Sequence, residues 1–115
     1  MQLYQWEQVE KEKLNPTFER QVIHGDTVTL ARVYLYKGCV VPMHSHVNEQ
    51  LSHIEKGALK FNLNGQEIVV RAGELLQIPP NVPHSAEALE DTVGFDFFAP
   101  VRQDWKDGTD HYLRK

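Results

Sequence analysis

The chain of 115 residues has one cysteine, Cys39. A single cysteine excludes an intrachain disulfide and a thiolate metal cluster. No run approaches the ~18 consecutive apolar residues of a membrane-spanning helix, which points away from a membrane protein. Lysine and arginine number 12 and are scattered, against 16 acidic residues. Nucleic acid is therefore not an expected partner, because phosphate binding needs a basic stripe. The first residues lack the basic end and apolar stretch of a secretory leader, and a cytoplasmic location is the expectation. No glycine-rich loop opens a helix, so no phosphate cradle of that kind is read. Segments with helical periodicity are also missing, apart from room for a short helix in the N-terminal arm (residues 1–15) or in the tail (residues 103–115).

What is present is a series of short apolar-alternating segments between turn residues. The pattern predicts strands at 18–24, 27–37, 50–55, 58–63, 67–70, 75–78, 84–88 and 93–98. Turns are signalled at Gly25-Asp26, Lys37-Gly38, Lys56-Gly57, Asn64-Gly65, Ala72-Gly73 and Pro79-Pro80-Asn81. Asn64-Gly65 is the strongest hairpin signal. Both residues tolerate the positive φ of a type I′ turn, and Leu59, Phe61, Leu63, Ile68 and Val70 alternate around it. Eight short strands at this spacing predict an all-β sandwich or barrel, a single domain with its core at about residues 27–102. At 41% hydrophobic and 24% charged residues, the composition is that of an ordinary folded domain.

The six histidines are the most informative residues. His44 and His46 form His-x-His, a spacing that in a strand puts both rings on one face. Gln50 shares their parity and Glu49 does not. His84 follows a proline-rich turn. Three imidazoles with one oxygen donor make a set suited to a divalent transition metal. His53 has the wrong parity, His24 and His111 lie far from the other histidines, and Cys39 reads as a small buried apolar residue. Near the C-terminus, Asp96 and Phe98 share one strand face. An aspartate in an apolar strand needs a partner, and Arg102 is a candidate for it or for a substrate carboxylate.

The spacing Gly38-x5-His44-x-His46-x3-Gln50-x6-Gly57, then Gly73-x5-Pro79-x-Asn81-x2-His84, resembles the two motifs of the cupins. That resemblance implies a single jelly-roll β-barrel with inward metal ligands. Two positions depart from the common pattern: Gln50 stands where glutamate is frequent, and Asn81 where glycine is usual. Within the cupins, His44-Ser45-His46-Val47-Asn48-Glu49-Gln50 and Asp96-Phe97-Phe98-Ala99-Pro100-Val101-Arg102 look like the KdgF group of pectin and alginate breakdown. Those proteins open 4,5-unsaturated uronates to linear 5-keto-4-deoxyuronate. Carried over, the resemblance implies one divalent metal ion (nickel, zinc, iron or manganese) on His44, His46, Gln50 and His84. It also implies proton transfer by Asp96, an anionic sugar held by Arg102 and lined by Phe98, and a homodimer. The alternatives are a non-catalytic cupin binding a sugar or small anion, and a cupin dioxygenase. A neutral amide at Gln50 leaves the metal charge uncancelled, which favours Lewis-acid over redox chemistry.

Overall fold

The computed structural model describes residues 1–114. Ten strands form in chain order: β1 (Glu12–Asn15), β2 (Phe18–His24), β3 (Thr29–Leu35), β4 (Val40–His44), β5 (Glu49–Lys56), β6 (Ala58–Leu63), β7 (Gln66–Arg71), β8 (Leu75–Ile78), β9 (His84–Ala88) and β10 (Thr92–Ala99). One short helix follows, α1 (Gln103–Asp107), and 3₁₀ turns occupy Trp6–Gln8 and His111–Arg114. The all-β expectation holds, with two strands more than the alternation marks. Glu12–Asn15, within the N-terminal arm, pairs with β2. Val40–His44 was hidden by its Val-Val-Pro-Met composition and pairs with β9.

The strands build two antiparallel sheets, in the orders β1-β2-β3-β10-β5-β8 and β4-β9-β6-β7. Their inner faces hold the core: Phe18, Ala31, Val33, Leu35, Ile54, Ile78 and Phe98 from the larger sheet, and Leu59, Phe61, Val70, Ala86 and Ala88 from the smaller. Period-2 alternation sets this division. In β3 every second residue is buried from Thr29 to Leu35, and in β5 the buried set is Gln50, Ser52 and Ile54. Cys39 is buried with the core, and burial raises its thiol pKa, which keeps it protonated and inert.

Several turns rest on positive φ. Asn64 and Gly65, at φ 50° and 82°, close the β6–β7 hairpin as the sequence predicts. Gly57, at φ 94°, joins β5 to β6, and a Cβ there would run into the Asp91 carbonyl oxygen and Thr92 Oγ1. Asn81 also takes a positive φ, 64°, and its N–H bonds to the His46 carbonyl oxygen, tying the proline-rich turn to the connection between β4 and β5.

The tail is part of the fold. Leu113 and Asp110 are buried, and Arg20 of β2 reaches Asp110 at 2.7 Å and Glu12 of β1 at 2.8 Å. The segment after Arg102 therefore lies over one end of the barrel. Among the described residues, no helix is long and apolar enough to cross a membrane.

Candidate metal centre

The smaller sheet supplies two of the three clustered histidines. His44 ends β4 and lies opposite His84 at the start of β9, so the two rings share a face, with centroids 4.3 Å apart. His46 lies beyond the end of β4, in the turn into β5. Its place beside His44 thus comes from that turn and not from strand parity. Its ring is 5.6 Å from that of His44 and 5.1 Å from that of His84. One ligand atom from each of the three falls within 4.8 Å of the others, a group that could hold a metal ion.

The hydrogen bonds determine which atoms those are. His44 Nδ1 faces the Pro42 carbonyl oxygen at 2.7 Å, His84 Nδ1 the Val82 oxygen at 2.8 Å, and His46 Nδ1 the Asn48 oxygen at 3.1 Å. A carbonyl only accepts, so each Nδ1 carries the proton and each Nε2 keeps its lone pair. His84 Nε2 is buried without a hydrogen-bond partner. Burial lowers the pKa of all three rings, to about 4 for His44 and His46. The cluster is thus neutral at pH 7, the state metal ligation requires.

Gln50 enters from the larger sheet. Its Oε1 lies 3.1 Å from His46 Nε2. With the proton on His46 Nδ1, both atoms are acceptors, and a shared cation resolves the repulsion between their lone pairs. The donor set fits a divalent transition metal on these grounds. Glu49 is exposed and bonds Gln77 on the outer face.

Behind Gln50 runs a chain of hydrogen bonds. Gln50 Nε2 donates to Ser52 Oγ at 2.9 Å, and Ser52 Oγ donates to Asp96 Oδ1 at 2.6 Å. Register explains the alignment. In the antiparallel pair, Asp96 faces Ser52 and Phe98 faces Gln50, so all four project inward. Asp96 retains some accessible surface, but it faces a cavity of about 50 Å³ and not bulk solvent. Burial pushes its carboxyl up to about 6, against the Ser52 hydrogen bond and the Arg102 charge, which pull it down.

The Asp96–Arg102 ion pair, one of the two roles open to Arg102, does not form. Arg102 turns instead to Asp104, through Nε at 2.9 Å and Nη2 at 2.7 Å, while Nη2 also donates to the Tyr112 hydroxyl at 2.6 Å. Two residues on, Asp104 in the first turn of α1 is in bidentate reach, an option β10 does not offer. Arg102 is nonetheless buried and on the cavity wall, together with His44, His84, Gln50, Asp96 and Phe98. Among the described residues no group bonds its Nη1.

Several wall residues escaped the sequence reading. Tyr112 stacks on His44, centroids 4.6 Å apart, and Trp105 packs edge-on to Phe98 at 5.0 Å. Asn48 is buried and donates to the Pro100 and Val101 carbonyl oxygens at 2.6 and 3.2 Å, anchoring the approach to Arg102. Ser52 offered no signal beyond its shared parity with Gln50. The remaining histidines lie apart: His53 is on the outer face beside Phe95, His24 bonds Thr29 Oγ1 at 2.8 Å, and His111 is exposed in the tail.

A two-sheet barrel with three convergent histidines between its sheets defines the class: a jelly-roll protein with a candidate metal site. The Cupin domain model matches residues 31–97, and the chain belongs to the cupin family. It is similar to an RmlC-like cupin from Shewanella frigidimarina, with 26% identity, a TM-score of 0.85, and 91% of this chain and 96% of that chain covered. The fold is also shared with KdgF from Halomonas sp. (24% identity, TM-score 0.84, 90% and 99% covered). A predicted oxalate decarboxylase from Thermotoga maritima shares it too (18% identity, TM-score 0.76, 86% and 99% covered). No curated protein matches the sequence significantly.

Proposed function

We propose that this cupin opens the ring of 4,5-unsaturated uronates to linear 5-keto-4-deoxyuronate. The observation that carries the reading is Asp96, an acid with its carboxyl pushed up to about 6, facing the same cavity as His44, His84 and Arg102. The fold shared with KdgF supports it.

The reaction is an isomerisation. The substrate is a cyclic enol ether with a hemiacetal carbon. The bond from that carbon to the ring oxygen breaks, and the hemiacetal hydroxyl loses its proton and becomes an aldehyde. The electron pair left on the ring oxygen forms the ketone while the double-bond carbon gains a proton. Asp96 in its protonated form delivers that proton, and a pKa near neutrality suits a group that both gives and regains one. A divalent metal on His44, His46, Gln50 and His84 would supply Lewis-acid polarisation of a sugar oxygen. Arg102 attracts the substrate carboxylate, through Nη1 or by exchanging Asp104 for the substrate across its fork. Phe98 and Tyr112 give the apolar and stacking surfaces that shape the cavity and exclude water.

The test is the loss of conjugated-enol absorbance when metal-loaded protein meets unsaturated monouronates, with a chelator control. Absence of loss with every divalent ion tried refutes the proposal. Asp96→Asn should abolish turnover while metal content persists.

The proposal includes a homodimer. Ile23, Leu30, Phe97 and Leu51 align across four adjacent strands on the outer face of the larger sheet, and Phe97 is 44% exposed. Leu3 and Tyr4 of the arm are exposed as well. Sedimentation as a monomer at micromolar concentration would count against it.

A further inference from the structure

Ser52 has no accessible surface and sits between Gln50 and Asp96. A serine hydroxyl has one proton to donate. Here that proton goes to the Asp96 carboxylate at 2.6 Å, a charge-assisted bond. The hydroxyl oxygen is then left to accept, and it accepts from Gln50 Nε2 at 2.9 Å.

This direction matters because a primary amide has two unlike ends. With its NH₂ end committed to Ser52, Gln50 presents its oxygen to the histidine cluster, 3.1 Å from His46 Nε2. The reversed amide would aim N–H donors at a site that needs a lone pair. We infer that Ser52 is a positioning residue that carries the acceptor character of Asp96 to Gln50 and so holds the amide oxygen toward the metal. A glutamate at this position would need no such device, because its two oxygens are equivalent. The glutamine here makes the orientation a matter of choice, and Ser52 makes it. The inference rests on reading Gln50 as a ligand, but not on the identity of the sugar.

The experiment titrates Mn²⁺ or Ni²⁺ into metal-free protein and records the Kd by calorimetry, with Co²⁺ visible spectra as a second readout. The variants are Ser52→Ala, Gln50→Ala, Gln50→Glu and the double variant Ser52→Ala/Gln50→Glu, each checked for folding by thermal melt. Ser52→Ala is expected to weaken the metal by about 10–100-fold, the usual cost of losing an outer-shell partner, and to shift the Co²⁺ bands. In the Gln50→Glu background the same substitution is expected to cost less than about threefold, the signature of coupling in a double-mutant cycle. Equal loss in both backgrounds would reduce Ser52 to a packing residue and overturn the inference. So would an unchanged Kd for Ser52→Ala where Gln50→Ala binds weakly. An unchanged Kd for Gln50→Ala would remove the ligand reading itself, and this inference with it. None of these outcomes depends on uronate turnover, so failure of the proposed reaction is read separately.

Discussion

Two groups of buried polar side chains meet at Trp105 and handle burial in opposite ways. Arg20 and Arg102 each place a guanidinium over its ring, at 4.2 and 4.5 Å from the centroid. On the Arg20 side, charge is neutralised by charge: Arg20 with Asp110 at 2.7 Å and with Glu12 at 2.8 Å, and Arg114 with Glu12 at 2.9 Å. On the Arg102 side, Arg102 itself pairs with Asp104, but three histidines are kept neutral, with His84 Nε2 unpartnered, and Asp96 is buried against its preference for ionisation. Pairing of the first kind fastens the tail to β1 and β2. Deprivation of the second kind stores affinity for something the protein does not itself provide.

The largest effect is expected where a charge would be left alone. Asp110→Ala strips Arg20 of its fully buried partner and should cost about 3–5 kcal/mol of stability, read from urea denaturation. Metal affinity of the folded protein should survive it. His84→Ala should do the reverse: metal affinity falls by more than the ~10–100-fold that outer partners command. The metal-free fold should change little, because the lost packing is offset by relief of an unpartnered nitrogen. If the two variants shared one phenotype, the division between an anchoring and a binding cluster would collapse.

Asp96→Asn gives a smaller effect with a distinctive pH signature. The folded pKa of about 6 lies above the ordinary 3.8, so between these values the folded state holds a proton that the unfolded chain has released. Stability from this group is therefore fully present below pH ~4 and declines as pH rises through 6. At pH 7 the ionised carboxylate should cost roughly 3 kcal/mol, and metal-free Asp96→Asn should melt higher than wild type there. The difference should vanish near pH 4. A variant that is less stable at pH 7 would mean that the Ser52 bond outweighs the burial cost. In turnover assays, kcat/KM should fall above about pH 6 as the acid form of Asp96 is depleted.

The binding side of this comparison was the more legible in sequence. His44, His46, Gln50, His84, Asp96 and Phe98 stand at spacings that strand parity or motif can read, and the structure brings all six to one region. Parity placed Gln50 inward and Glu49 outward because β5 runs unbroken through both. It gave the wrong reason for His46, which a turn and not a strand puts in place. The anchoring side was hardly legible. Arg20 pairs with a residue 90 positions away, and no local period announces such a contact. For the same reason the tail was read as an appendage, although Tyr112 stacks on His44. Arg102 stands out in sequence as a partner for Asp96 or a substrate carboxylate, yet its partner proved to be Asp104, since a neighbour on α1 reaches the guanidinium fork that an inward aspartate on β10 does not. Ser52 was invisible because its role lies in the direction of a hydrogen bond, a property that residue type alone does not carry.

Arg114 is the weakest member of the anchoring cluster and the best probe of its cohesion. Its contact with Glu12 is open to water, both side chains being more than a third exposed at 37% and 38%. Exposed pairs of this kind contribute about 0–1 kcal/mol and are screened by salt. Arg114→Ala should therefore cost less than about 1 kcal/mol at physiological ionic strength, and less still in 1 M salt. Yet Arg114 Nε also approaches Asp110 Oδ1 at 3.5 Å, and that buried oxygen has no hydrogen bond of its own. A salt-insensitive loss well above 1 kcal/mol would show that Asp110 needs both arginines. The tail would then be held by one cooperative network and not by a single buried pair with a solvated rim. The small predicted cost follows from assigning the neutralisation of Asp110 to Arg20 alone, at the shorter distance and out of reach of water.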